Sequence, residues 1–439
     1  MSSAGSPQYS DEIRGSSSAA DFQPQQHRFF YGWVIVGCAF TILCVAYGVQ
    51  FTYGVFMPHI SAETGWNRGA LSVPYSVYVF VYSALGFVSG RLTDRWGPRV
   101  VLITGSLLLG SGVMLMSRVG MLWHIYVVLG LLAASGMSAV YVPCNATVVR
   151  WFTLKRGLAL SIASSGASFG VFIFPPLTTA IIASRGWRGA YVILGLLALC
   201  VIAGGACFIV RDPEKLGLHP DGLSQQLSLA RETPLKDIEL SESFSLAEAK
   251  RTGAFWLLNL IFTLTWLVVF MPMVHIVPFA VDLGISPFRA AMAISVIGIA
   301  GFAGRLTIGT LSDRFGRIAS LGFCLLLQTL SFVGFSISSG LMLLYLAAAV
   351  FGFSYGGVTS LFPALIGDFF GRAEVGAIVG FIFALAGSPA AFGPLIAGYM
   401  YNAAHTYTAA FDLSAGLNLI ALLLLFLLKK PQRVATDSI

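Results

Sequence analysis

A single arginine within an apolar stretch is the residue of this chain with the clearest chemical potential. Arg305 lies in residues 295–317, which read SVIGIAGFAGRLTIGTLSDRFGR. It precedes Asp313 by eight residues, so in a membrane helix it lies roughly 12 Å from the charged end. A charge at that depth costs at least about 2.5 kcal/mol. Because arginine keeps its proton, its guanidinium group needs an anionic or polar partner.

The apolar stretches offer Arg305 no acidic partner in their central parts. The nearest acids fall close to the ends of their stretches: Asp94, Asp313, Asp368 and Glu374 at one end and Asp282 at the other. A mobile carboxylate is therefore the predicted occupant, held by two charge-assisted hydrogen bonds. The alternatives are that the side chain extends to the cytoplasmic surface or that it binds backbone carbonyls.

Polar and aromatic residues elsewhere in the apolar stretches are candidates to complete a pocket around this arginine. Hydroxyl and amide groups would hold a carboxylate or a hydroxyl group, and aromatic rings would form an apolar wall. The candidates are Tyr47, Gln50, Tyr141, Asn145, Tyr355, Phe383 and Ser388. The alternative for the aromatic residues is interfacial anchoring or lipid-facing packing, and for Asn145 it is a helix–helix hydrogen bond.

His275 is the one histidine well inside a predicted membrane span, since His59, His124 and His405 lie at loop edges. Imidazole titrates near physiological pH, so this side chain is a candidate proton relay. The alternative is a structural histidine that is hydrogen-bonded to a neighbouring helix near the outer mouth.

The elements that must position these residues follow from composition. Of 439 residues, 56% are hydrophobic and 10% are charged, against about 25% charged in soluble proteins. The bilayer is therefore the predicted solvent. The net charge of +7 follows membrane topology and is not a nucleic-acid signal. No nucleotide-binding signature, metal-ligand spacing or nucleophile arrangement is present, so we predict neither a cofactor nor an enzyme.

Twelve apolar segments approach or exceed the length of about 20 residues that crosses a bilayer. They are 32–56, 70–90, 100–117, 122–148, 158–182, 189–210, 254–281, 288–310, 318–338, 341–366, 374–400 and 408–428. The prediction is an all-α membrane protein of two pseudo-symmetric six-helix halves, 29–210 and 252–430. A disordered tail (1–28), a cytoplasmic linker (211–251) and a short tail (431–439) complete the chain.

The distribution of basic residues predicts the orientation. With the N-terminus inside, five arginines fall on the outer side: Arg68, Arg118, Arg185, Arg188 and Arg289. Arg305 lies in the membrane, and the remaining lysines and arginines fall on the inner side. This asymmetry places both termini in the cytoplasm.

One loop sequence occurs twice, once after the second segment and once after the eighth. The matching positions are Gly90, Asp94, Arg95 and Gly97 in the first copy and Gly309, Asp313, Arg314 and Gly316 in the second. Glycine permits close approach of helices and a tight turn, and the aspartate would face the positive N-terminus of a neighbouring helix. These eight residues are predicted to form a conformational latch. The alternative is a basic loop that only obeys the topology bias.

This loop in both copies resembles the signature of the major facilitator superfamily. Within that superfamily the chain resembles monocarboxylate transporters of bacterial type, which are related to oxalate/formate exchangers. Three stretches carry the resemblance: Tyr31-Gly32-Trp33, residues 151–159 (WFTLKRGLA) with Ala163, Gly166 and Ser168, and residues 275–286 (HIVPFAVDLGIS). The resemblance implies the same twelve-helix fold and an arginine in helix eight that holds the substrate carboxylate. Arg305 occupies that position.

The chain departs from the family pattern at three places. Gly301 stands where animal members carry an aspartate, and Gln50 and Phe51 stand where they carry a lysine. Residues 383–389 lack the second cation of the oxalate exchangers. A single cation favours a monovalent anion, and the departures leave the proton route open.

Together these features predict a secondary transporter for a small monocarboxylate such as lactate or pyruvate, coupled to a proton. It would work by alternating access between its halves, as a monomer in the inner or plasma membrane. The alternatives are an organic anion exchanger, an exporter of another organic acid or drug, and a non-transporting membrane sensor.

Overall fold

A computed structural model describes residues 30–152, 155–219, 243–371 and 375–431. Within these residues eleven helices are long and apolar enough to span a membrane. One of them, Arg156–Phe208, has 53 residues, and Gly186 interrupts it with φ 70° and ψ 167°. At about 1.5 Å per residue, this helix is twice as long as a bilayer needs. It therefore comprises two spans, and the described chain has the twelve predicted membrane helices.

The N-terminal half contains α1 to α6. Their bounds are Gly32–Phe51 continued by Tyr53–Thr64 (α1), Arg68–Trp96 (α2), Pro98–Leu115 (α3), Leu122–Trp151 (α4), 156–185 (α5) and 187–208 (α6). Within α4, residues Tyr126–Ala133 form a π-helix.

The C-terminal half contains α7 to α12. Their bounds are Gly253–Asp282 (α7), Pro287–Phe315 (α8), Arg317–Ser336 (α9), Leu341–Phe370 (α10), Val375–Ala390 continued by Phe392–Ala404 (α11), and Thr408–Leu425 (α12). The two-half, twelve-helix architecture predicted from the sequence is confirmed.

The repeated loops define two ends of the molecule. We call the end with Gly97 and Gly316 the motif end, and the end where α1 passes to α2 near Arg68 the far end. The halves meet through α1 with α7, α2 with α11, and α5 with α8. Gly54 permits the closest approach at the far end, because an added Cβ would overlap the carbonyl oxygen of Val274 in α7.

The repeated loops are more helical than the sequence suggested. Asp94 and Arg95 lie in the last turn of α2, which continues to Trp96. Only Gly97 makes the turn, with φ 86°, and Gly316 repeats this with φ 85°. The close approach expected at the first glycine of the motif is absent, because Gly90 has only an ordinary contact with Val142 and Gly309 has open space.

The connection between the halves is described at its two ends. A 3₁₀ turn, Pro213–Leu216, follows α6. A short helix, Leu246–Ala249, begins at Ser245, whose side chain accepts a hydrogen bond from the Glu248 amide. The predicted tail 1–28, the tail residues 432–439 and the linker residues 220–242 lie outside the described residues, so these domain boundaries stay predictions.

Candidate functional site

Arg305 lies midway along α8 at the interface with the N-terminal half. Its Nη1 donates a hydrogen bond of 2.9 Å to the backbone carbonyl oxygen of Ser164 in α5. Its Nε is buried and has no hydrogen-bond partner. Among the described residues Arg305 forms no ion pair with an acid, so part of its guanidinium edge remains available to an anion.

Tyrosine hydroxyl groups from three helices, α1, α4 and α10, lie near the guanidinium group of Arg305. Tyr47, Tyr141 and Tyr355 each interact with it electrostatically. Tyr141 keeps 42% of its surface exposed, so this part of the group is not fully enclosed by the described helices. These three predicted residues are thus brought together around Arg305.

Tyr82 in α2 joins this group and was missed by the sequence analysis. It interacts with Tyr141 and Tyr355, and its ring centroid lies 5.9 Å from that of Tyr78. The signal was present in the sequence, because Tyr75, Tyr78 and Tyr82 recur at spacings that place them on one helix face.

Aromatic rings form an apolar wall on the C-terminal side. Phe383 lies 5.4 Å from Trp266 between ring centroids. Phe51 of α1 stacks on Phe270 of α7 at 6.2 Å, and this contact crosses between the halves. Phe383 thus belongs to an aromatic cluster of the C-terminal half.

Asn145 links α4 to Ser164, whose carbonyl oxygen accepts the hydrogen bond from Arg305. Its Oδ1 accepts a 3.1 Å hydrogen bond from the Ser164 hydroxyl group. Its Nδ2 donates a 3.0 Å bond to the Tyr141 carbonyl oxygen. The helix–helix hydrogen bond considered from the sequence is therefore present, and it lies next to the arginine.

Two predicted pocket residues have other surroundings. Gln50 lines a cavity of about 20 Å³ inside the N-terminal half, where its amide group faces Tyr75 without a hydrogen bond of normal geometry. Ser388 donates its hydroxyl hydrogen to the Ala384 carbonyl oxygen one turn earlier in α11. Neither side chain contacts Arg305.

His275 is fully buried near the far end of α7. Its Nε2 lies 2.9 Å from the Pro394 carbonyl oxygen in α11, so Nε2 carries the hydrogen. Its Nδ1 lies 3.0 Å from the Tyr407 hydroxyl group and accepts from it in the neutral imidazole. His275 is therefore bonded to neighbouring helices, at a distance from Arg305.

The hydrogen bonds of His275 extend through Tyr407 to an ion pair between the halves. Arg68 at the start of α2 binds both carboxylate oxygens of Asp282 at the end of α7, at 2.5 and 2.6 Å. Arg68 also donates a 3.2 Å bond to Tyr407 and lies 4.2 Å above the Tyr401 ring. Burial raises the pKa of the Tyr407 hydroxyl group, which therefore keeps its proton. We call Arg68, His275, Asp282 and Tyr407 the far-end network.

At the motif end the described ion pairs join residues of the same half. Asp94 lies 3.3 Å from Arg150 of α4, which also binds Asp212 at 3.0 Å. In the C-terminal half Arg317 binds Asp368 at 2.5 Å. The side chain of Asp313 lies outside what the structure describes.

Comparison with known proteins adds the family. The model of the Major Facilitator Superfamily matches residues 39–387 and 255–438. Monocarboxylate transporter 13 of Rattus norvegicus is 28% identical over 385 residues, covering 87% of this chain and 85% of that protein. Monocarboxylate transporter 11 of Homo sapiens is 28% identical over 403 residues, covering 88% and 80%.

Solved structures share the fold. A bacterial homologue of the human lysosomal transporter Spinster, in an inward-facing and occupied conformation, superposes with a TM-score of 0.69 at 14% identity. The superposition covers 91% of this chain and 97% of that one. A peptide transporter in complex with sulfate gives a TM-score of 0.68 at 15% identity.

Proposed function

The chain belongs to the major facilitator superfamily, and on that premise we propose that it moves a small monocarboxylate, such as lactate or pyruvate, together with a proton. It is a multi-pass membrane transporter in which the substrate site lies between two halves that rock around it. The observation that carries this proposal is Arg305, a guanidinium group at the interface of the halves without an acidic partner among the described residues.

The local chemistry supports an anion with one negative charge. Arg305 is the cation of the site, and its buried Nε has no hydrogen-bond partner among the described residues. A carboxylate would bind Nε and a terminal nitrogen through two parallel hydrogen bonds. The hydroxyl groups of Tyr47, Tyr141 and Tyr355 would bind the remaining oxygens, and Phe383 would contact the apolar part of the substrate.

The proton is assigned to His275. In the neutral state Tyr407 donates to Nδ1 while it accepts from Arg68. A proton on Nδ1 would face the Tyr407 oxygen and force its hydroxyl hydrogen to turn away. It would also add a positive charge beside Arg68, so protonation weakens the far-end network. A proton from the far side would thus favour opening of that end.

The motif loops would act at the opposite end, which we assign to the cytoplasm together with both termini. Asp94 binds Arg150 in the same half, so it is available to form a different contact when that end closes. The latch would comprise Gly90, Asp94, Arg95 and Gly97, repeated at Gly309, Asp313, Arg314 and Gly316. The transporter would work as a monomer in the plasma membrane. The names of its relatives, which are monocarboxylate transporters, support a carboxylate substrate.

Exchange of organic anions is the second candidate, and one observation favours it. The bond from Arg305 to the Ser164 carbonyl oxygen joins the two halves at the site. A substrate carboxylate would replace that carbonyl and free the halves to move. If this bond slows the conformational change of the carrier without substrate, counterflow will exceed net uptake. The rate of counterflow will then be independent of the pH gradient.

Uptake of radiolabelled lactate into proteoliposomes under an imposed pH gradient tests the proposal. We expect wild type to accumulate lactate and Arg305→Ala to lose about 100-fold in kcat/KM, because truncating one partner of a buried charge pair costs about 2–5 kcal/mol. Arg305→Lys should restore little of the lost kcat/KM, because an ammonium group cannot form two parallel hydrogen bonds with a carboxylate. Arg289→Ala, at an exposed position, is the matched control. Absence of uptake by wild type, or full uptake by Arg305→Ala, would contradict the proposal.

A further inference from the structure

A second cluster of positive charge surrounds a cavity at the far end of the N-terminal half. The cavity has a volume of about 530 Å³ and lies between the α3–α4 turn and the first turn of α6. Its lining includes Arg118 and Val119 from the turn, and Arg188 and Val192 from α6. It is separate from the site around Arg305.

The cavity lies where the protein passes from the lipid region to water. Helix α3 ends at Leu115 and α4 begins at Leu122, so the turn between them lies at the membrane boundary. Apolar side chains beside it are exposed: Leu115, Met121, Trp123 and Val192. An exposed tryptophan is typical of the interface with lipid headgroups. The surface next to the cavity is therefore suited to acyl chains.

The two arginines of the cavity differ in how they are held. Arg188 binds Glu63, lies 4.1 Å over the Trp187 ring and donates a 3.4 Å bond to the Val119 carbonyl oxygen. Arg118 is exposed and forms no ion pair with any described residue. One guanidinium group is thus fixed in the wall, and the other is available to a ligand.

Charge at this position is unexpected from topology. Basic residues concentrate on the inner side of membrane proteins, yet Arg118, Arg185 and Arg188 lie together at the far end. Among the residues that the structure describes, Glu63 pairs with Arg188, and Arg118 and Arg185 form no ion pair. A net positive cavity at the lipid boundary is suited to a phosphate group, which guanidinium groups bind with paired hydrogen bonds.

We propose that this cavity binds the phosphate of an anionic phospholipid, with Arg118 as its principal ligand and the acyl chains against Leu115 and Val192. Inorganic phosphate shares the headgroup chemistry, but it would make no use of the exposed apolar surface. The lipid is therefore the assigned occupant.

Native mass spectrometry of the full-length protein in detergent, titrated with phosphatidylglycerol or phosphatidylcholine, tests this assignment. We expect wild type to retain one phosphatidylglycerol more tightly than phosphatidylcholine. Arg118→Gln should weaken that binding about five-fold, since one basic residue near anionic lipid contributes about that factor. Arg118→Glu should weaken it further. Arg289→Gln, which removes an exposed arginine outside the cavity, should bind like wild type.

Thermal unfolding with and without inorganic phosphate separates the two sources of the anion. The lipid assignment predicts stabilisation by phosphatidylglycerol and none by millimolar phosphate. Equal binding of both lipids, unchanged binding by Arg118→Gln, or equal stabilisation by inorganic phosphate would overturn it. Arg118→Gln and Arg118→Glu both change an exposed residue. An unfolding temperature close to that of wild type, measured without lipid, would therefore show that the fold is retained.

Discussion

The hydroxyl groups around Arg305 come from both halves of the molecule. Tyr47, Tyr82 and Tyr141 belong to the N-terminal half, whereas Tyr355 and Arg305 belong to the C-terminal half. A carboxylate bound at Arg305 would therefore contact both halves at once. Such bridging lets a small ligand influence how the halves move.

Removal of one hydroxyl group should weaken substrate binding and leave the fold intact. We expect Tyr355→Phe to raise the Kd for lactate about ten-fold, because a hydrogen bond to a charged group contributes about 1.5 kcal/mol or more. Tyr399→Phe makes the same change at a tyrosine that is 57% exposed and should have no effect. Isothermal titration calorimetry measures both. Equal Kd values for the two variants would remove Tyr355 from the binding site.

His275 should determine how the far end responds to pH. Glutamine can donate to the Pro394 carbonyl oxygen and accept from Tyr407, but it does not titrate. We expect His275→Gln to abolish the pH dependence of uptake while it preserves lactate counterflow. Uptake and counterflow from pH 5 to 8 provide the measurement. Unchanged pH dependence in this variant would exclude His275 as the proton site, and loss of counterflow would indicate damage to the carrier itself.

Among the elements, α8 is held against α10 by glycines, which let the two backbones touch. An added Cβ at Gly304 would overlap the Phe353 carbonyl oxygen, and one at Gly356 would overlap that of Gly301. Small residues at such spacing are the usual means of close helix packing in membranes. Because Arg305 directly follows Gly304, this packing fixes the position of the Arg305 backbone from which the guanidinium group extends.

Enlarging a glycine in this contact should destabilise the C-terminal half. We expect Gly356→Ala to lower the unfolding temperature by several degrees, because a backbone carbonyl cannot move aside as a side chain does. Gly309→Ala is the matched control, since an added Cβ there meets nothing within 4 Å. Differential scanning fluorimetry compares them. An unfolding temperature for Gly356→Ala equal to that of the control would contradict this account of the packing.

At the scale of the whole molecule, the described polar contacts between the halves lie at the far end or in the middle. They include the pairs Arg68 with Asp282, Asn67 with Asn402, Ser72 with His275, and Arg305 with Ser164. At the motif end the described ion pairs join residues of the same half. By its described polar contacts, the molecule is thus closed at the far end.

A bulky residue at the far-end contact should oppose this closure. We expect Gly54→Leu to hold the far end open, because its side chain would overlap the backbone of Val274. Spin labels introduced by Ser184→Cys and Ser339→Cys in a cysteine-free background would then report a longer distance across that end. Gly37→Leu, where an added Cβ has open space, should leave the distance distribution unchanged. Identical distributions for the two leucine variants would contradict the role assigned to Gly54.

The sequence by itself determined the membrane class, the twelve helices, the two-half repeat and the position of Arg305 within a membrane helix. Each follows from hydrophobicity or from a charge in an apolar segment, and these are local properties of the chain. Apolar length alone also located α5 and α6 as separate spans on either side of Gly186.

Only the tertiary structure decided which side chains meet. Gln50 and Tyr47 are one turn apart in α1, yet Gln50 faces the interior of its own half while Tyr47 faces Arg305. Tyr82 joined its cluster only when α2 was packed against α4. Arg68 joined the far-end network only when the start of α2 met the end of α7. Hydropathy is nearly uniform around such buried helices, so it does not indicate which face meets which neighbour. That choice is made by close packing at glycines and by long-range hydrogen bonds, whose partners lie far apart in the chain.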